Sequence, residues 1–164
     1  MPFLFYQRLI FVLSGLWFGA ILAVGYLVAP TIFMSLPDRQ LAGEVAGEIF
    51  KNTTLLTVSV QVLLMFLVNG LVKRGLSQYR TIRWYLLIIL LLAVIGGFVI
   101  QPWMNELKLI AQQSGLAVMA SPHATTFGRL HGVSSILFLC EALLGLTMLW
   151  KISGLMVSGN QVIK

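Results

Sequence analysis

The chain has 164 residues, of which 59% are hydrophobic and only 10% are charged, and its formal net charge is +6. Soluble globular proteins carry about 25% charged residues, so this composition excludes an ordinary soluble domain and indicates an integral membrane protein. The basic residues lie at the ends of apolar runs and form no stripe with interleaved aromatics, which argues against nucleic acid as a partner.

Four apolar segments are long enough to cross a lipid bilayer, which takes about 20 residues of helix. They occupy residues 9–28, 55–72, 84–100 and 133–150. None of them alternates apolar and polar residues as a barrel strand does, so all four are predicted to be helices. We therefore expect an all-α, up-down bundle of four transmembrane helices within residues 1–152 and a flexible tail at 153–164. No internal repeat is evident.

The loop between the second and third spans, KRGLSQYRTIR at residues 73–83, holds four basic residues and no acid. Short loops rich in Lys and Arg remain in the cytoplasm. Arg8 and Lys151 flank the first and fourth spans on the same side, so both chain ends are predicted to be cytoplasmic. The compact sequence without a targeting extension favours a bacterial inner membrane.

The two connections on the other side of the membrane also show helical patterns. In residues 39–52, Leu41 and Val45 fall on one face and Glu44 on another, which predicts a short interfacial helix or an extension of the second span. Pro102 is expected to break the third span, and residues 103–113 then predict a second interfacial helix.

The first span carries Gly15, Gly19 and Ala23 at intervals of four, a spacing that lets another helix approach closely. Packing within the bundle is the favoured interpretation of this face. The alternative is contact with a second copy of the chain or with another membrane protein.

The fourth span contains Glu141, which lies about 15 Å deeper along a straight helix than His131 and therefore near the middle of the bilayer. An isolated carboxylate at that depth costs several kcal/mol, so we expect Glu141 to be neutral, hydrogen-bonded, or facing a water-filled cavity. Ser134 falls within about 20° of Glu141 on the helix surface. A neutral glutamate that only holds helices together is the alternative interpretation.

A polar pocket follows from combining this face with the second span, where Thr57 and Gln61 continue a stripe that begins at Thr54. Interhelical hydrogen bonding that only fixes packing explains the stripe equally well. The predicted pocket has three residues at its mouth, one at its floor and two across from them: Arg129, His131 and Ser134, then Glu141, then Thr57 and Gln61.

Catalytic and metal motifs are largely missing from the sequence. There is no paired-carboxylate site, no nucleophile elbow, no phosphate-binding loop and no HExxH, so an enzyme is not favoured. His123 and His131 are weak candidates for haem or copper ligands, and no cofactor is the favoured expectation.

The sequence also resembles a known family, called domain of unknown function 4149, which includes the eukaryotic transmembrane protein 205. The resemblance rests on APTIF at residues 29–33, AGEVAGEIF at 42–50, Pro102, and FGRLHGVSS at 127–135. It implies a small four-helix membrane protein without an established activity. The positions that match the family's motifs are Pro30, Phe33, Gly47, Phe50, Phe127, His131, Gly132 and Ser134.

Three classes of function are compatible with these patterns. The leading hypothesis is a non-enzymatic protein of the lipid bilayer that binds or moves a small solute, ion or lipid through an outward-opening polar pocket. The second is an assembly or scaffold subunit that holds another membrane protein through its glycine face. The third is a redox protein with haem or copper on His123 and His131.

Overall fold

The computed structural model describes the backbone of residues 2–161 and the side chains of residues 4–156. Within that part every regular element is helical. Four helices are long and apolar enough to cross a membrane, at Leu4–Ser35, Arg39–Lys73, Ser77–Gln113 and Ala124–Met156. The predicted all-α, four-span membrane bundle is confirmed.

Each membrane helix of the first hairpin is longer than the apolar span predicted for it. The first hairpin consists of α1 (Pro2–Ala23), a π-helical segment (Val24–Val28), α2 (Ala29–Ser35) and α3 (Arg39–Lys73). Asp38 caps α3, because its carboxylate accepts hydrogen bonds from the backbone N–H of Gln40 at 2.8 Å and of Leu41 at 3.3 Å. The amphipathic pattern at residues 39–52 is thus the first part of the second membrane helix.

The second hairpin repeats this arrangement. It consists of α4 (Arg80–Val94), a second π-helical segment (Ile95–Ile100), α5 (Gln101–Gln113) and α6 (Ala124–Gln161), with short 3₁₀ turns at Ser77–Tyr79 and Val118–Ala120. The residues from 153 to 161 therefore continue α6 as helix, and the last three residues of the predicted flexible tail lie outside the described residues.

The expected break of the third helix at Pro102 is wrong, because the helix continues through it into α5. A proline in a regular helix removes one backbone hydrogen bond and clashes with the carbonyl four residues earlier. Here a π turn precedes the proline, and the N–H of Gln101 bonds to the carbonyl of Gly96, five residues back. The wider turn shifts the carbonyls, and the predicted separate interfacial helix is an extension of the membrane helix instead.

The four long helices pack in a square. α1 lies against α3 and α6, and α4 lies against the same two neighbours, so α1 faces α4 diagonally. Towards the loop at residues 73–83 the centre of the bundle is solid apolar core. Fully buried side chains there include Ile10, Leu64, Leu71, Ile82, Leu86, Met148 and Ile152. We call this the core end of the bundle, and the opposite end, which carries α2 and α5, the cavity end.

The two π-helical segments reveal a short internal repeat that sequence inspection did not find. Residues 25–30 read GYLVAP and residues 97–102 read GFVIQP, each with glycine, an aromatic, two aliphatic residues and a proline five positions after the glycine. Gly25 lies in direct contact with Phe138 of α6, and Gly97 lies in direct contact with Thr54 of α3. The two hairpins are therefore related by a local two-fold, in which each glycine meets a helix of the other hairpin.

The small-residue face of α1 is arranged differently from its favoured interpretation. A Cβ atom added at Gly15 or at Gly19 meets nothing within 4 Å in the described part of the chain, and Leu16 beside them is 68% exposed. Packing of this face within the bundle is therefore wrong. The inner face of α1 is instead the stripe of Ile10, Ser14, Trp17 and Ile21, all nearly or fully buried.

Candidate functional site

A cavity of about 560 Å³ lies between the two hairpins and opens at the cavity end of the bundle. Cavities of roughly 300 to 1,000 Å³ hold small-molecule ligands in proteins. Both π-helical segments contribute to its walls, through Gly25 and Tyr26 on one side and Gly96 and Gly97 on the other. π turns are rare and concentrate at functional sites, so their pairing around one cavity marks this part of the fold.

The floor of the cavity is formed by Glu141 and Thr57. The side chain of Glu141 is 7% exposed, and no hydrogen bond to its carboxyl group is found in the described part of the chain. Thr57 is 1% exposed, and its hydroxyl oxygen accepts a hydrogen bond of 3.0 Å from the indole Nε1–H of Trp17. One of the two floor groups is thus satisfied within the protein, and the other faces the cavity.

The local two-fold explains this difference. Phe138 and Thr54, the partners of the two repeat glycines, lie three residues before Glu141 and Thr57, so the two floor residues occupy equivalent places. On the same repeat, Trp17 of α1 corresponds to Ile89 of α4. Isoleucine has no hydrogen-bond donor in its side chain, and Glu141 therefore lacks the partner that Thr57 has.

Trp17 closes the cavity on the core side. Its ring crosses the centre of the bundle and reaches α6 at Gly145, where an added Cβ would lie 3.0 Å from the indole. Gly145 is one helical turn beyond Glu141, so the indole lies directly under the carboxyl group. Trp17 is 2% exposed. The cavity thus ends at this ring.

Beneath the ring are two polar side chains without partners. The hydroxyl of Ser14 and both ends of the Gln61 amide are buried and make no hydrogen bond in the described structure. Each lies one turn towards the core end from a partner in the Trp17–Thr57 bond. Buried polar groups in proteins are nearly always satisfied, and ordered water commonly supplies the missing partner.

Four phenylalanines line the middle of the cavity and make it mainly apolar: Phe33, Phe50, Phe127 and Phe138. Phe50 and Phe138 meet edge to face with their ring centroids 5.3 Å apart. Phe127 lies parallel to the ring of His131, with a centroid distance of 6.3 Å.

At the mouth, α5 places polar side chains against α3. The ammonium group of Lys108 donates a hydrogen bond of 3.4 Å to the carbonyl of Gly43 and lies 5.8 Å from the centre of the Phe127 ring. Gln112 donates a bond of 2.9 Å to the carboxylate of Glu44. These contacts tie α5 to α3 and position a positive charge at the entrance.

Of the six residues predicted from the sequence to form a pocket, the structure brings four to the cavity: Thr57, His131, Ser134 and Glu141. Arg129 does not line the cavity, because two residues on a helix are about 200° apart and Arg129 therefore points away from His131. Gln61 does not line it either, because it lies one turn below Thr57, on the far side of the Trp17 ring.

Sequence inspection missed two residues that shape the cavity, Trp17 and Lys108. Trp17 has no polar neighbour in the sequence that would distinguish it from an ordinary membrane tryptophan. Lys108 lies in the predicted amphipathic segment, and its orientation towards the cavity depends on the uninterrupted helix through Pro102.

The predicted metal candidates do not meet at one site in this structure. His131 lines the cavity, whereas His123 lies outside the lining, in the loop before α6, where its backbone N–H bonds to the Ser121 hydroxyl at 3.1 Å. Among the described residues, no group of three or more His, Cys, Asp or Glu side chains is placed to hold a metal ion.

A family model, described as domain of unknown function (DUF4149), matches residues 12–113, which run from α1 to the end of α5. No curated protein and no solved structure matches the chain. Six of the eight positions by which the sequence resembles this family line the cavity: Phe33, Gly47, Phe50, Phe127, His131 and Ser134.

Proposed function

This chain belongs to the DUF4149 family, whose function is unknown, and from the geometry of its cavity we propose that it is a non-enzymatic membrane protein that binds or moves a small solute, ion or lipid. The observation that carries the proposal is a single carboxyl group, Glu141, that faces a cavity of about 560 Å³ and has no partner in the described protein. A side chain that only held helices together would be bonded to one of them.

The position of the cavity supports the same proposal. Membrane transporters built from repeats bind their substrates at the interface of the repeats, near the middle of the bilayer and beside interrupted helices. The cavity here lies between two repeated hairpins, each with a π turn, and its floor is at the depth of Glu141.

We further propose that the cavity end faces outward from a bacterial inner membrane, with residues 73–83 and both chain ends in the cytoplasm. The four basic residues of that loop support this orientation. In this orientation the cavity takes its ligand from the outer side, and the core end is sealed by Trp17 and the apolar side chains below it.

The exposed face at Gly15 and Gly19 favours a second role, as a contact surface for another membrane helix. Small residues let helix backbones approach closely in a bilayer, and this face has no neighbour in the described chain. A copy of the chain or an unrelated membrane protein could pack there while the cavity stays open.

The test of the main proposal is a variant that fills the cavity. A leucine at Gly47 projects into the mouth, since the nearest atoms to an added Cβ are the flexible ends of Gln101 and Lys108 at 3.5 and 3.6 Å. The matched control is Gly70→Leu on the same helix, where an added Cβ meets nothing within 4 Å.

Small molecules that co-purify with each protein in mild detergent are identified by mass spectrometry. We expect the parent and Gly70→Leu to carry a bound molecule that Gly47→Leu lacks. Equal content in all three proteins, each folded to the parent's melting temperature, contradicts a role of the cavity in binding.

A further inference from the structure

The mouth of the cavity is positively charged on balance. Three basic side chains line it, those of Arg39, Lys51 and Lys108, against one acid at this level, Glu44. Lys51 has a partner in Glu48 at 3.3 Å, which is the ion pair found among the described residues. Lys108 therefore has no carboxylate within ion-pair distance, and its partner within the protein is the neutral carbonyl of Gly43.

Glu44 does not neutralise Lys108 by direct contact, because its carboxylate is bound by two amides. Gln112 donates to it at 2.9 Å, and Gln40 donates to the same oxygen at 3.5 Å. The ammonium group of Lys108 is thus half-buried among a carbonyl, a phenylalanine face and the backbone of Gly47. A half-buried cation in such surroundings is stabilised by an anion that enters the mouth.

Below the charged mouth the walls are aromatic and aliphatic for most of the distance to Glu141. Helix α6 descends from Phe127 at the mouth to Glu141 at the floor, which is about 21 Å along the axis. The order from the entrance inward is thus a cation, a long apolar section and a polar floor. An amphiphile with an anionic head and an apolar chain matches the first two parts of this sequence.

The cavity also has an open side. Helix α2 has no buried residue and packs against α3, without comparable packing against α6 in the described part of the chain. Phe33 and Tyr26, which line the cavity on this side, are 38% and 58% exposed. The opening between α2 and α6 lies at the end of the apolar spans, where lipid headgroups and the first part of their chains are located.

We propose that the occupant of the cavity is a lipid with an anionic headgroup, which enters between α2 and α6 and places its phosphate or carboxylate on Lys108. Arg39 adds to the attraction, and the phenylalanines surround one acyl chain. This inference rests on the proposed function and specifies the class of its ligand.

The experiment uses Trp17 as an internal reporter. The other three tryptophans, Trp84, Trp103 and Trp150, are 65%, 51% and 82% exposed and are replaced by phenylalanine at the bilayer surface of the bundle. Trp17 is then the sole indole, shielded from surrounding lipid but directly under the cavity floor. Bromine on an acyl chain quenches indole fluorescence only at short range, so quenching reports a chain inside the cavity.

The protein is reconstituted in vesicles of unlabelled phosphatidylcholine that contain a small fraction of brominated phosphatidylglycerol or, in parallel, brominated phosphatidylcholine. We expect phosphatidylglycerol to quench Trp17 at a concentration about fivefold lower, the factor that one basic side chain near a bilayer surface gives. Lys108→Gln should abolish the preference, and Lys108→Arg should keep it.

The matched control is Arg129→Gln, which removes a charge from the same end of the bundle but outside the cavity lining, and it should retain the preference. Inorganic phosphate at matched ionic strength should not displace the brominated lipid. Displacement by phosphate assigns the seat to a free anion and overturns the lipid proposal.

Other results overturn the inference without touching the proposed function. Equal quenching by both lipids, or an equal loss of preference in Arg129→Gln, means that Lys108 does not select the headgroup. If neither lipid quenches Trp17 while Gly47→Leu still loses its co-purified molecule, the cavity binds a ligand that is not a lipid. If neither quenching nor that loss is seen, the proposed function itself fails.

Discussion

The indole Nε1–H of Trp17 donates a hydrogen bond of 3.0 Å to the hydroxyl of Thr57, and the two side chains are 2% and 1% exposed. This bond joins the first and second membrane helices beneath the cavity. Because the same indole also contacts α6 at Gly145, one side chain connects three of the four helices at the depth where the cavity ends.

We expect Trp17→Phe to lower the free energy of unfolding by about 1 kcal/mol, the usual contribution of a hydrogen bond, since the aromatic packing is largely kept. Thr57→Val should have a similar effect. The double variant should lose less than the sum, because both changes remove the same bond. Unfolding in detergent measures all three, and strictly additive losses contradict a direct bond.

The repeat glycines give a second prediction. Gly25→Ala and Gly97→Ala should each destabilise the protein by about 1 to 3 kcal/mol, because the new methyl group overlaps Phe138 or Thr54 and the helices must move apart. Gly19→Ala should be neutral or slightly stabilising, since alanine favours helix and meets no neighbour.

Thermal melting of the three glycine variants decides this point. A loss at Gly19 equal to that at Gly97 contradicts the arrangement in which α1 turns its small-residue face outward. Gly19→Leu, measured by mass in detergent, additionally tests the proposed contact of this face with a second chain, and it should reduce any oligomer that the parent forms.

The carboxyl group of Glu141 is predicted to act in binding and not in packing. Glu141→Gln should fold within about 1 kcal/mol of the parent, because the amide has the same shape, but should lose the co-purified molecule or any transport signal. Glu141→Leu should lose the signal as well. If Glu141→Leu is as stable and as active as the parent, the polar floor has no role.

The orientation is tested with reporter fusions. A reporter fused at Ser77, in the basic loop, should behave as cytoplasmic, and one fused at Gly115, between α5 and α6, should behave as exported. The reverse pattern contradicts a cavity that opens outward, although it leaves the geometry of the cavity unchanged.

The fold could be predicted from the sequence to a large extent, because length and hydropathy alone determine which segments cross a bilayer. The site could be predicted in part. The depth of Glu141 and its spacing from His131 and Ser134 placed these three side chains correctly on one face of a helix. Helical periodicity within a single element is sufficient for that.

Relationships between helices could not be predicted in the same way. Gly15 and Gly19 match a packing pattern, yet α1 turns Trp17 and Ser14 inward, and hydropathy does not distinguish a lipid-facing side from a buried one in a membrane. The effect of Pro102 was misjudged because the π turn that accommodates it depends on Gly96 and Gly97 and on their contact with α3.

The central claim is that Glu141 is reached from the cavity end and that Trp17 closes the path below it. The most direct measurement is cysteine accessibility in a Cys140→Ser background, with a small thiol reagent that does not cross membranes, applied from the outer side. We predict that Glu141→Cys is modified, that Gln61→Cys is protected, and that Trp17→Ala makes Gln61→Cys reactive. An unreactive Glu141→Cys, or a Gln61→Cys that reacts equally with Trp17 in place, contradicts this account.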